Sequence, residues 1–385
     1  MTLFIDPPNA AGHGRMWSHL ASDTSYEELH AFAATLGVPP RGFDGDHYDV
    51  PAEWYDRVVA AGVVPVSSRE LIELLTRAGL RVRKSSRLRP RKPGRALLEP
   101  PAVKPGSSVA VVSVAGVPDP VRLATGIDVL RGWGLSVVAG TSGAGDFDWL
   151  AGTDLERAEA FSRAWLDPRI DVVWCARGGF GTQRILDLLD WRLLATARPK
   201  WLVGFSDVTA LHQAVASRLG VITLHGTGVT GLDDSVAAES AWGQLTGSPS
   251  AGTLVGRAGV SGTAQGVLVG GNLTMLASSL GTQFTHPAVD SIVVLEDVGE
   301  RPYRLDRALT QLLRSGWFAG VRGVVCGQFT DSGDPAVIEA LLLARLRPLG
   351  VPLLLDVALG HARPNLAFPL GRVAALDCGA GRLSW

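Results

Sequence analysis

The feature that most constrains the fold is a regular alternation of Val-rich apolar runs with amphipathic stretches after residue 105. Runs such as SVAVVSVAG at 108–116, DVVWC at 171–175 and WLVGF at 201–205 are nearly uninterrupted, as expected for strands that are buried on both faces. The stretches between them carry apolar residues at helical spacing. The pattern predicts a parallel sheet that is covered by helices on both faces.

Two further segments flank this region. Residues 1–82 contain one short apolar run, TLFID, and three stretches with helical spacing, which predict a small α/β or mostly helical module. Residues 262–385 contain several short apolar runs, which predict a second, smaller domain that is rich in sheet. Residues 228–262 are rich in Gly, Ser and Thr, and we expect an irregular crossover there. The first of the two large domains is expected at 106–240, after a linker at 83–105.

The predicted linker is basic and rich in proline. Eight Lys and Arg residues lie between 81 and 95, and no acid interrupts them. A stretch of this composition cannot bury a core, so it is expected to be an extended spacer between domains. A weak contact with nucleic acid or with an anionic surface is the alternative.

Composition favours a cytoplasmic protein without nucleic-acid or membrane partners. The formal net charge is -1 at pH 7, so bulk charge indicates neither kind of partner. The chain has no run of about 18 apolar residues, which a membrane-spanning helix would need, and MTLFIDPPN does not have the basic start of a signal peptide. Cys175, Cys326 and Cys378 are far apart and show no CxxC spacing. This is typical of reduced structural thiols rather than of disulfides or a zinc site.

A serine at a predicted strand-to-helix turn, within WLVGFSDVTALHQAV, is the most informative local feature. A turn of this kind exposes the Ser206 hydroxyl at the carboxyl edge of the sheet. It also directs the first N–H groups of the helix towards developing negative charge. The motif is GFSD rather than the full GxSxG. The alternative is therefore that Ser206 caps the helix, with Asp207 in its first turn.

A glycine-rich turn follows the preceding predicted strand, in CARGGFGTQRI. Gly178, Gly179 and Gly181 allow the backbone to approach a ligand closely. The N–H of Gly179 could form an oxyanion hole together with that of Asp207. A phosphate-binding loop is less well supported, because GGFG matches neither GxGxxG nor a P-loop. An ordinary tight turn remains the third interpretation.

His361 is the preferred candidate for a general base among the eight histidines. It lies in LLLDVALGHARPNLAFPLG, where a predicted strand ends at a glycine and polar residues follow, and loops of this kind often carry functional side chains. His212 lies inside the helix predicted after Ser206 and is expected to pack or cap. His225, at a strand end, is expected to be structural, and lining the site is its alternative role.

A carboxylate that orients a catalytic imidazole could come from IVVLEDVGERPYRLDRALTQLL. This stretch contains Glu296, Asp297, Glu300 and Asp306. The first two directly end an apolar strand, which is unusual unless the acid has a partner. Asp306 opens a predicted helix and could serve only the helix dipole or an ion pair. Spacing alone does not choose among these four acids.

Five motifs, in order, resemble the L,D-carboxypeptidases of the murein-recycling type. This family of serine peptidases also contains the microcin C self-immunity peptidases. The resemblance covers roughly residues 104–385. The motifs are ARGGFG at 176–181, GFSDVTALH at 204–212, GGNL at 270–273, LEDVGERPYRLDR at 295–307 and GHARPN at 360–365.

The resemblance implies a Rossmann-like domain and a smaller sheet domain, with a Ser–Glu–His triad assembled across the cleft between them. Ser206 takes the position of the nucleophile and His361 that of the base. Glu296 takes the position of the carboxylate, and Glu300 is the less favoured acid. A triad of this kind needs no metal and no cofactor.

The resemblance also suggests residues that contact the substrate. Gly179 and Asp207 would supply the N–H groups of the oxyanion hole. Arg177, Asn272 and Arg304 are the expected substrate-binding residues. A carboxypeptidase needs a cation for the product's carboxylate, and the two arginines are chosen because a guanidinium binds a carboxylate with two hydrogen bonds. A structural ion pair is the alternative role of Arg304.

The implied function is hydrolysis of the L,D peptide bond before the terminal D-alanine of murein tetrapeptides, in cell-wall recycling. Members of the family are commonly homodimers. One alternative is cleavage of a peptidyl-adenylate amide, as in the self-immunity relatives. That activity would need an aromatic platform for the base, and Trp242, in the predicted crossover, is the candidate. A non-catalytic binding or regulatory protein, in which residues 1–82 act, is the second alternative.

Residues 1–82 resemble a separate small bacterial domain family of unknown function. The matching stretches are DPP at 6–8, HGR at 13–15, WSHL at 17–20, GDHYDVP at 45–51 and SREL at 68–71. The acids and histidines in this segment could form a metal site or an acid–base site, or a polar network that fixes a small domain with a thin core. They are Asp6, His13, His19, Asp46, His47 and Asp49.

Overall fold

The computed structural model describes residues 2–12, 14–39, 42–43, 46–80, 97–140, 148–285 and 288–385. The chain forms two compact units, Met1–Arg87 and Leu88–Trp385. Most of the predicted basic linker lies outside the described residues, and so does His13. None of the helices in the described ranges is both long enough and apolar enough to cross a membrane.

In its described residues, the first unit contains a five-stranded sheet and three α-helices. The strands lie in the order β2-β3-β1-β5, and β4 also pairs with β3. Ile5, Leu20 and Val50 from the strands and Leu29 from the first helix are fully buried in one core, so the unit is α/β rather than mostly helical. The elements are β1 (Leu3–Ile5), β2 (Ala10–Gly12), β3 (Arg15–Ser22), α1 (Tyr26–Thr35), β4 (Tyr48–Pro51), α2 (Tyr55–Ala60), β5 (Val64–Pro65) and α3 (Ser68–Arg77).

The second unit opens with a six-stranded sheet in the order β17-β10-β9-β8-β6-β7. The five strands β6 to β10 are parallel, and β17 joins antiparallel at one edge. Val109 and Val111 face one helical layer and Ala110 and Val112 face the other, which confirms the predicted parallel sheet between helices. The elements are β6 (Ser108–Val112), α4 (Pro120–Gly132), β7 (Ser136–Ala139), α5 (Asp154–Leu166), β8 (Val172–Cys175), α6 (Thr182–Ile185), α7 (Trp191–Leu194), β9 (Trp201–Gly204), α8 (Thr209–Arg218), β10 (Thr223–His225) and α9 (Ser235–Thr246).

The rest of the unit forms an eight-stranded mixed sheet in the order β11-β19-β18-β13-β14-β15-β16-β12. Strands β13 to β16 are parallel, and antiparallel strands flank them. This agrees with the predicted sheet-rich carboxy-terminal part, while the boundaries 106–240 and 262–385 stay a prediction. The elements are β11 (Thr253–Val255), β12 (Arg257–Val260), β13 (Thr263–Asn272), α10 (Leu273–Ser278), β14 (Ser291–Val298), α11 (Pro302–Arg314), β15 (Gly323–Thr330), α12 (Pro335–Leu346), β16 (Leu353–Leu355), β17 (Phe368–Leu370), β18 (Val373–Asp377) and β19 (Arg382–Ser384).

Two predictions about local structure were wrong. The apolar spacing of QRILDLLDWRLLA, after the strand DVVWC, predicts one helix. The stretch is not one helix, because Leu189 is extended and Asp190 caps a new helix by accepting from two backbone N–H groups. The predicted irregular crossover contains α9, which Asp234 caps and which ends at Gly247 in the left-handed conformation. In both cases an aspartate cap outweighed the composition of the stretch.

Glycine at position 126 lets α4 approach the loop before α9. A Cβ atom at Gly126 would lie 1.9 Å from the carbonyl oxygen of Val229. We therefore predict that Gly126→Ala lowers the free energy of unfolding by about 3 kcal/mol, because the backbone must shift. The matched control is Gly132→Ala in the same helix, where an added Cβ meets nothing within 4 Å and alanine should be neutral or favourable. Urea unfolding of both variants measures the difference, and equal midpoints would contradict the prediction.

Candidate active site

Ser206 lies on a strained turn directly after β9. Its φ angle is 63°, a left-handed conformation that costs a residue with a side chain about 1–2 kcal/mol. The cap position of the following turn is occupied by Phe205, and no side-chain capping hydrogen bond is present there. The alternative in which Ser206 caps the helix is therefore wrong, and the strain exposes its hydroxyl at the edge of the sheet.

The glycine-rich loop after β8 passes close to this hydroxyl. A Cβ atom at Gly178 would lie 3.0 Å from Ser206 Cβ and 3.3 Å from Ser206 Oγ. Gly179 and Gly181 have φ angles of 117° and 121°, which residues with a side chain rarely adopt. The loop therefore needs glycine both for its backbone conformation and for its closeness to Ser206.

A chain of two hydrogen bonds joins three distant residues. The Ser206 hydroxyl lies 2.9 Å from His361 Nε2, and His361 Nδ1 lies 2.7 Å from Glu296 Oε2. If Nδ1–H donates to the carboxylate, Nε2 is left as the acceptor for the serine proton. Burial raises the pKa of Glu296, and the hydrogen bond from His361 opposes that rise.

An irregularity in the pairing of β14 and β15 lies directly beside Glu296. The two strands are in register to Leu295 and Cys326, but the next pair is Asp297 and Phe329, so β15 contains one extra residue. Bulges of this kind often redirect side chains beside active sites. Gly360, with φ 121°, completes the fit, because a Cβ atom there would lie 3.2 Å from Glu296 Oε2.

The loop that carries His361 is fixed by two amide side chains that sequence reasoning missed. Gln328, in the bulge, accepts from the Ala362 N–H through Oε1 at 3.1 Å. Asn365 accepts from the Gly360 N–H at 2.9 Å. Asn365 belongs to the GHARPN motif, which is a signal that could have identified it, whereas Gln328 carries no such signal.

A buried polar network ties the glycine-rich loop to the serine turn. The Asp207 carboxylate accepts from the Thr182 N–H at 2.8 Å and from the Thr182 hydroxyl. Buried Arg157 donates to the Gly181 carbonyl at 2.9 Å and to the Val114 carbonyl at 2.6 Å. Burial raises the pKa of Asp207, and these contacts with Thr182 and Arg157 oppose the rise. Sequence reasoning missed Arg157 and Thr182, since only tertiary contacts bring them here.

The three residues predicted to bind substrate lie in different surroundings. Arg177 lines a cleft of about 470 Å³ that also contains Gly179, Ser206 and His361. Asn272 is buried, where it caps α10 and donates to Asp297 at 3.0 Å, so it is not brought to the cleft surface. Arg304 is exposed on α11 and pairs with Glu300 at 3.5 Å, and it is not one of the residues that line the cleft.

The acids that the sequence left open are now distinguished by their partners. Asp297 accepts from the backbone and hydroxyl of Thr274 at 2.9 and 2.8 Å, which joins β14 to the start of α10. Asp306 pairs with Arg345 at 2.5 Å on the surface. Of the four acids, Glu296 is the one hydrogen-bonded to His361.

The two remaining histidines near the site are buried. His212 donates from Nε2 to the Gly204 carbonyl at 2.9 Å and accepts from Thr223 at 2.8 Å. It thereby packs under the turn, as the sequence predicted. His225 stacks on Phe368 with ring centroids 4.6 Å apart, and burial lowers its pKa well below the ordinary value.

Three protein-family models match this chain. Residues 109–226 match the LD-carboxypeptidase N-terminal domain, and residues 265–376 match the LD-carboxypeptidase C-terminal domain. Residues 3–78 match a family described as a protein of unknown function, DUF4031.

Individual relatives align with this chain over 82% to 98% of their own length. A putative carboxypeptidase of Streptomyces coelicolor is 44% identical over 75% of this chain and 96% of the relative. The murein tetrapeptide carboxypeptidase of Pseudomonas aeruginosa is 36% identical over 62% of this chain and 82% of the relative. The crystal structure of muramoyltetrapeptide carboxypeptidase from Oxalobacter formigenes matches with a TM-score of 0.65 and 28% identity, over 72% of this chain and 97% of that one. The microcin C7 self-immunity protein MccF matches in fold, with a TM-score of 0.65 and 22% identity, over 74% and 98% of the two chains.

The backbone strain at residue 206 predicts a difference between two substitutions. Ser206→Gly should be more stable than Ser206→Ala by about 1 kcal/mol, because glycine adopts φ 63° without a steric penalty and alanine does not. Both variants remove the hydroxyl, so the loss of its hydrogen bond is common to them. Urea unfolding measures the difference, and an alanine variant as stable as the glycine variant would show that the turn is not strained.

Burial of His212 predicts a pH-dependent stability. Burial lowers the pKa of His212 from 6.5 to about 4. Between these pH values the unfolded chain binds a proton that the folded chain does not. The free energy of unfolding therefore falls as the pH decreases through this window, by up to about 3 kcal/mol from this group. His212→Gln should remove that share of the slope, as measured by denaturant unfolding from pH 7 to pH 4. Identical slopes would contradict the prediction.

Proposed function

The chain belongs to the LD-carboxypeptidase family of serine peptidases, and on that premise we propose that it hydrolyses the L,D peptide bond before the terminal D-alanine of murein tetrapeptides. The observation that carries the proposal is the hydrogen-bonded chain from Ser206 through His361 to Glu296, which opens onto a cleft. We assign the nucleophile, the base and the orienting carboxylate to these residues in that order.

The first half of the reaction forms an acyl-enzyme. His361 Nε2 accepts the Ser206 proton while Oγ forms a bond to the carbonyl carbon, and the carbonyl π electrons move to its oxygen. The N–H groups of Gly179 and Asp207 donate to that oxyanion. Removal of one such donor typically costs about 3 kcal/mol. The C–N bond then breaks, and the proton on His361 passes to the nitrogen of the departing D-alanine.

The second half repeats these steps with water as the nucleophile. His361 accepts a proton from water, the hydroxide adds to the ester carbon, and Ser206 leaves with that proton. Throughout, Glu296 stays ionised and stabilises the imidazolium that forms in each half-reaction. Its complete burial strengthens this interaction, because charges attract more strongly away from water.

Arg177 is the proposed partner of the substrate's terminal carboxylate. Its guanidinium is exposed in the cleft and donates to the Val117 carbonyl at 3.0 Å. Within the part of the chain that the structure describes, no acid forms an ion pair with it. Arg122 and Arg363, which also line the cleft, share Asp233 instead, at 3.5 and 2.8 Å. Arg177 is therefore the cleft arginine whose charge is most available to a carboxylate.

The alternative with an adenylate substrate has less support. Trp242, the aromatic residue suggested for it, lies in α9 and stacks on Trp133 with ring centroids 4.9 Å apart. It packs against the hydrophobic core beside the six-stranded sheet, and it is not one of the residues that line the cleft. The likeness to MccF is below 25% identity and concerns the fold alone.

A cytoplasmic location and a homodimer belong to the same proposal. The three cysteines are free and buried, which suits a reducing compartment. The homodimer is proposed because members of the family that the chain resembles are commonly homodimers. Sedimentation of the purified chain would test it.

The decisive experiment uses L-Ala-γ-D-Glu-diaminopimelate-D-Ala and mass spectrometry of the product. We expect release of one alanine, and a fall of at least about 1000-fold in kcat for Ser206→Ala, because the nucleophile is removed. Arg177→Ala should mainly raise KM, and Gly132→Ala serves as the unaffected control.

Two outcomes would contradict the proposal. One is a folded protein that releases no alanine, and the other is release that survives Ser206→Ala unchanged. Cleavage of a peptidyl-adenylate amide in place of the tetrapeptide would support the self-immunity alternative.

A further inference from the structure

The first unit brings two histidines and an aspartate together at one region of its sheet. Strands β3 and β4 pair with His19 opposite Asp49, and side chains directly opposite each other in an antiparallel pair lie on the same face. His47 precedes Asp49 by two residues, which is the spacing that returns a side chain to the same face of an extended chain. The three side chains therefore come from two neighbouring stretches of the sheet.

Their outward-facing atoms are close enough to share one ion. A ligand atom from each of His19, His47 and Asp49 lies within 4.8 Å of the others. His47 Nε2 is 3.3 Å and His19 Nε2 is 4.0 Å from Asp49 Oδ1. The two imidazole rings are nearly perpendicular, at 83°, with centroids 4.8 Å apart. The two rings are therefore in edge-to-face contact rather than stacked.

Each imidazole is oriented from behind by a buried carboxylate. His19 Nδ1 lies 2.9 Å from Asp6 Oδ2, and His47 Nδ1 lies 2.5 Å from Asp46 Oδ1. Asp6 is itself held by the Ser68 hydroxyl at 2.6 Å. When Nδ1–H donates to a carboxylate, Nε2 carries the lone pair, which is the usual arrangement behind metal-binding histidines.

The environment of His47 Nε2 also indicates a ligand. The His47 side chain is 5% exposed, and among the described residues this atom has no hydrogen-bond partner. A buried polar atom without a partner costs roughly 1–3 kcal/mol. A bound ion would satisfy it.

We propose that His19, His47 and Asp49 bind one divalent transition-metal ion of the Zn²⁺ or Fe²⁺ class. Two imidazoles and one carboxylate suit these metals, whereas Mg²⁺ and Ca²⁺ prefer sites made of oxygen atoms. Three protein ligands leave at least one coordination position for water or a substrate, as in catalytic rather than structural sites. His19 and Asp49 are partly exposed, so that position is open to solvent. The inference is independent of the proposed peptidase function.

The test uses the full chain with any affinity tag removed and bound metal stripped with a chelator. It is titrated with Co²⁺, whose visible absorption grows when protein ligands hold the ion with fewer than six ligands, and its metal content is measured after loading with Zn²⁺. We expect about one ion per chain. Asp6→Asn, which keeps all three ligands, should weaken binding about 10-fold to 100-fold. Asp49→Asn should weaken it at least as much, and Asp49→Glu should restore part of the affinity.

Two controls separate this site from other histidines. His30→Ala changes an exposed histidine of the same unit, and His361→Ala changes the peptidase cleft, so both should bind as the unaltered chain does. Circular dichroism checks that each variant is folded. Because Asp49 is 40% exposed and asparagine has the same size, the result for Asp49→Asn stands even if a change at buried His47 prevents folding. Absent Co²⁺ binding, binding unchanged in Asp49→Asn, or binding lost in His361→Ala would each overturn the proposal.

Discussion

The hydrogen bond between Ser206 and His361 joins residues 155 positions apart, and the arrangement of the second unit makes it possible. Ser206 follows a parallel strand of the six-stranded sheet, whereas Glu296 belongs to the eight-stranded sheet. The segment after His361 returns to the six-stranded sheet, where Phe368 in β17 pairs with His225 in β10. The histidine is therefore held between two sheets that share one chain segment, and its position does not depend on a flexible loop alone.

The active site contains several features that by themselves lower the free energy of unfolding. Ser206 has a left-handed backbone, and Glu296 and Asp207 are acids buried almost completely. Each is compensated locally: Glu296 by His361, and Asp207 by Thr182 and the nearby Arg157. Buried charges that keep a hydrogen-bonding partner are tolerable and give a fixed geometry. The strain and the burial together fix the positions of the hydroxyl, the imidazole and the backbone donors.

The sequence predicted the parts of this molecule that depend on local pattern. Apolar runs predicted the parallel strands, and three of the five motifs indicated Ser206, Glu296 and His361, which the structure joins by hydrogen bonds. It did not predict α9, because its Gly- and Ser-rich surroundings conceal the Asp234 cap. It also missed Arg157 and Gln328, whose contacts involve residues far away in the chain. A bulge in β15 is equally invisible, because an extra residue leaves apolar periodicity almost unchanged.

In both units a buried carboxylate forms a hydrogen bond with Nδ1 of a histidine. In the peptidase cleft, buried Glu296 orients an imidazole whose other nitrogen faces a hydroxyl on a strained turn. In the first unit, Asp6 orients His19 in the same way, but there a second imidazole and a carboxylate stand opposite the outward nitrogen. A neutral imidazole held from behind is equally suited to accept a proton and to bind a metal. The groups around its other nitrogen decide between the two: a hydroxyl favours proton transfer, whereas a cluster of further donors without protons favours a cation.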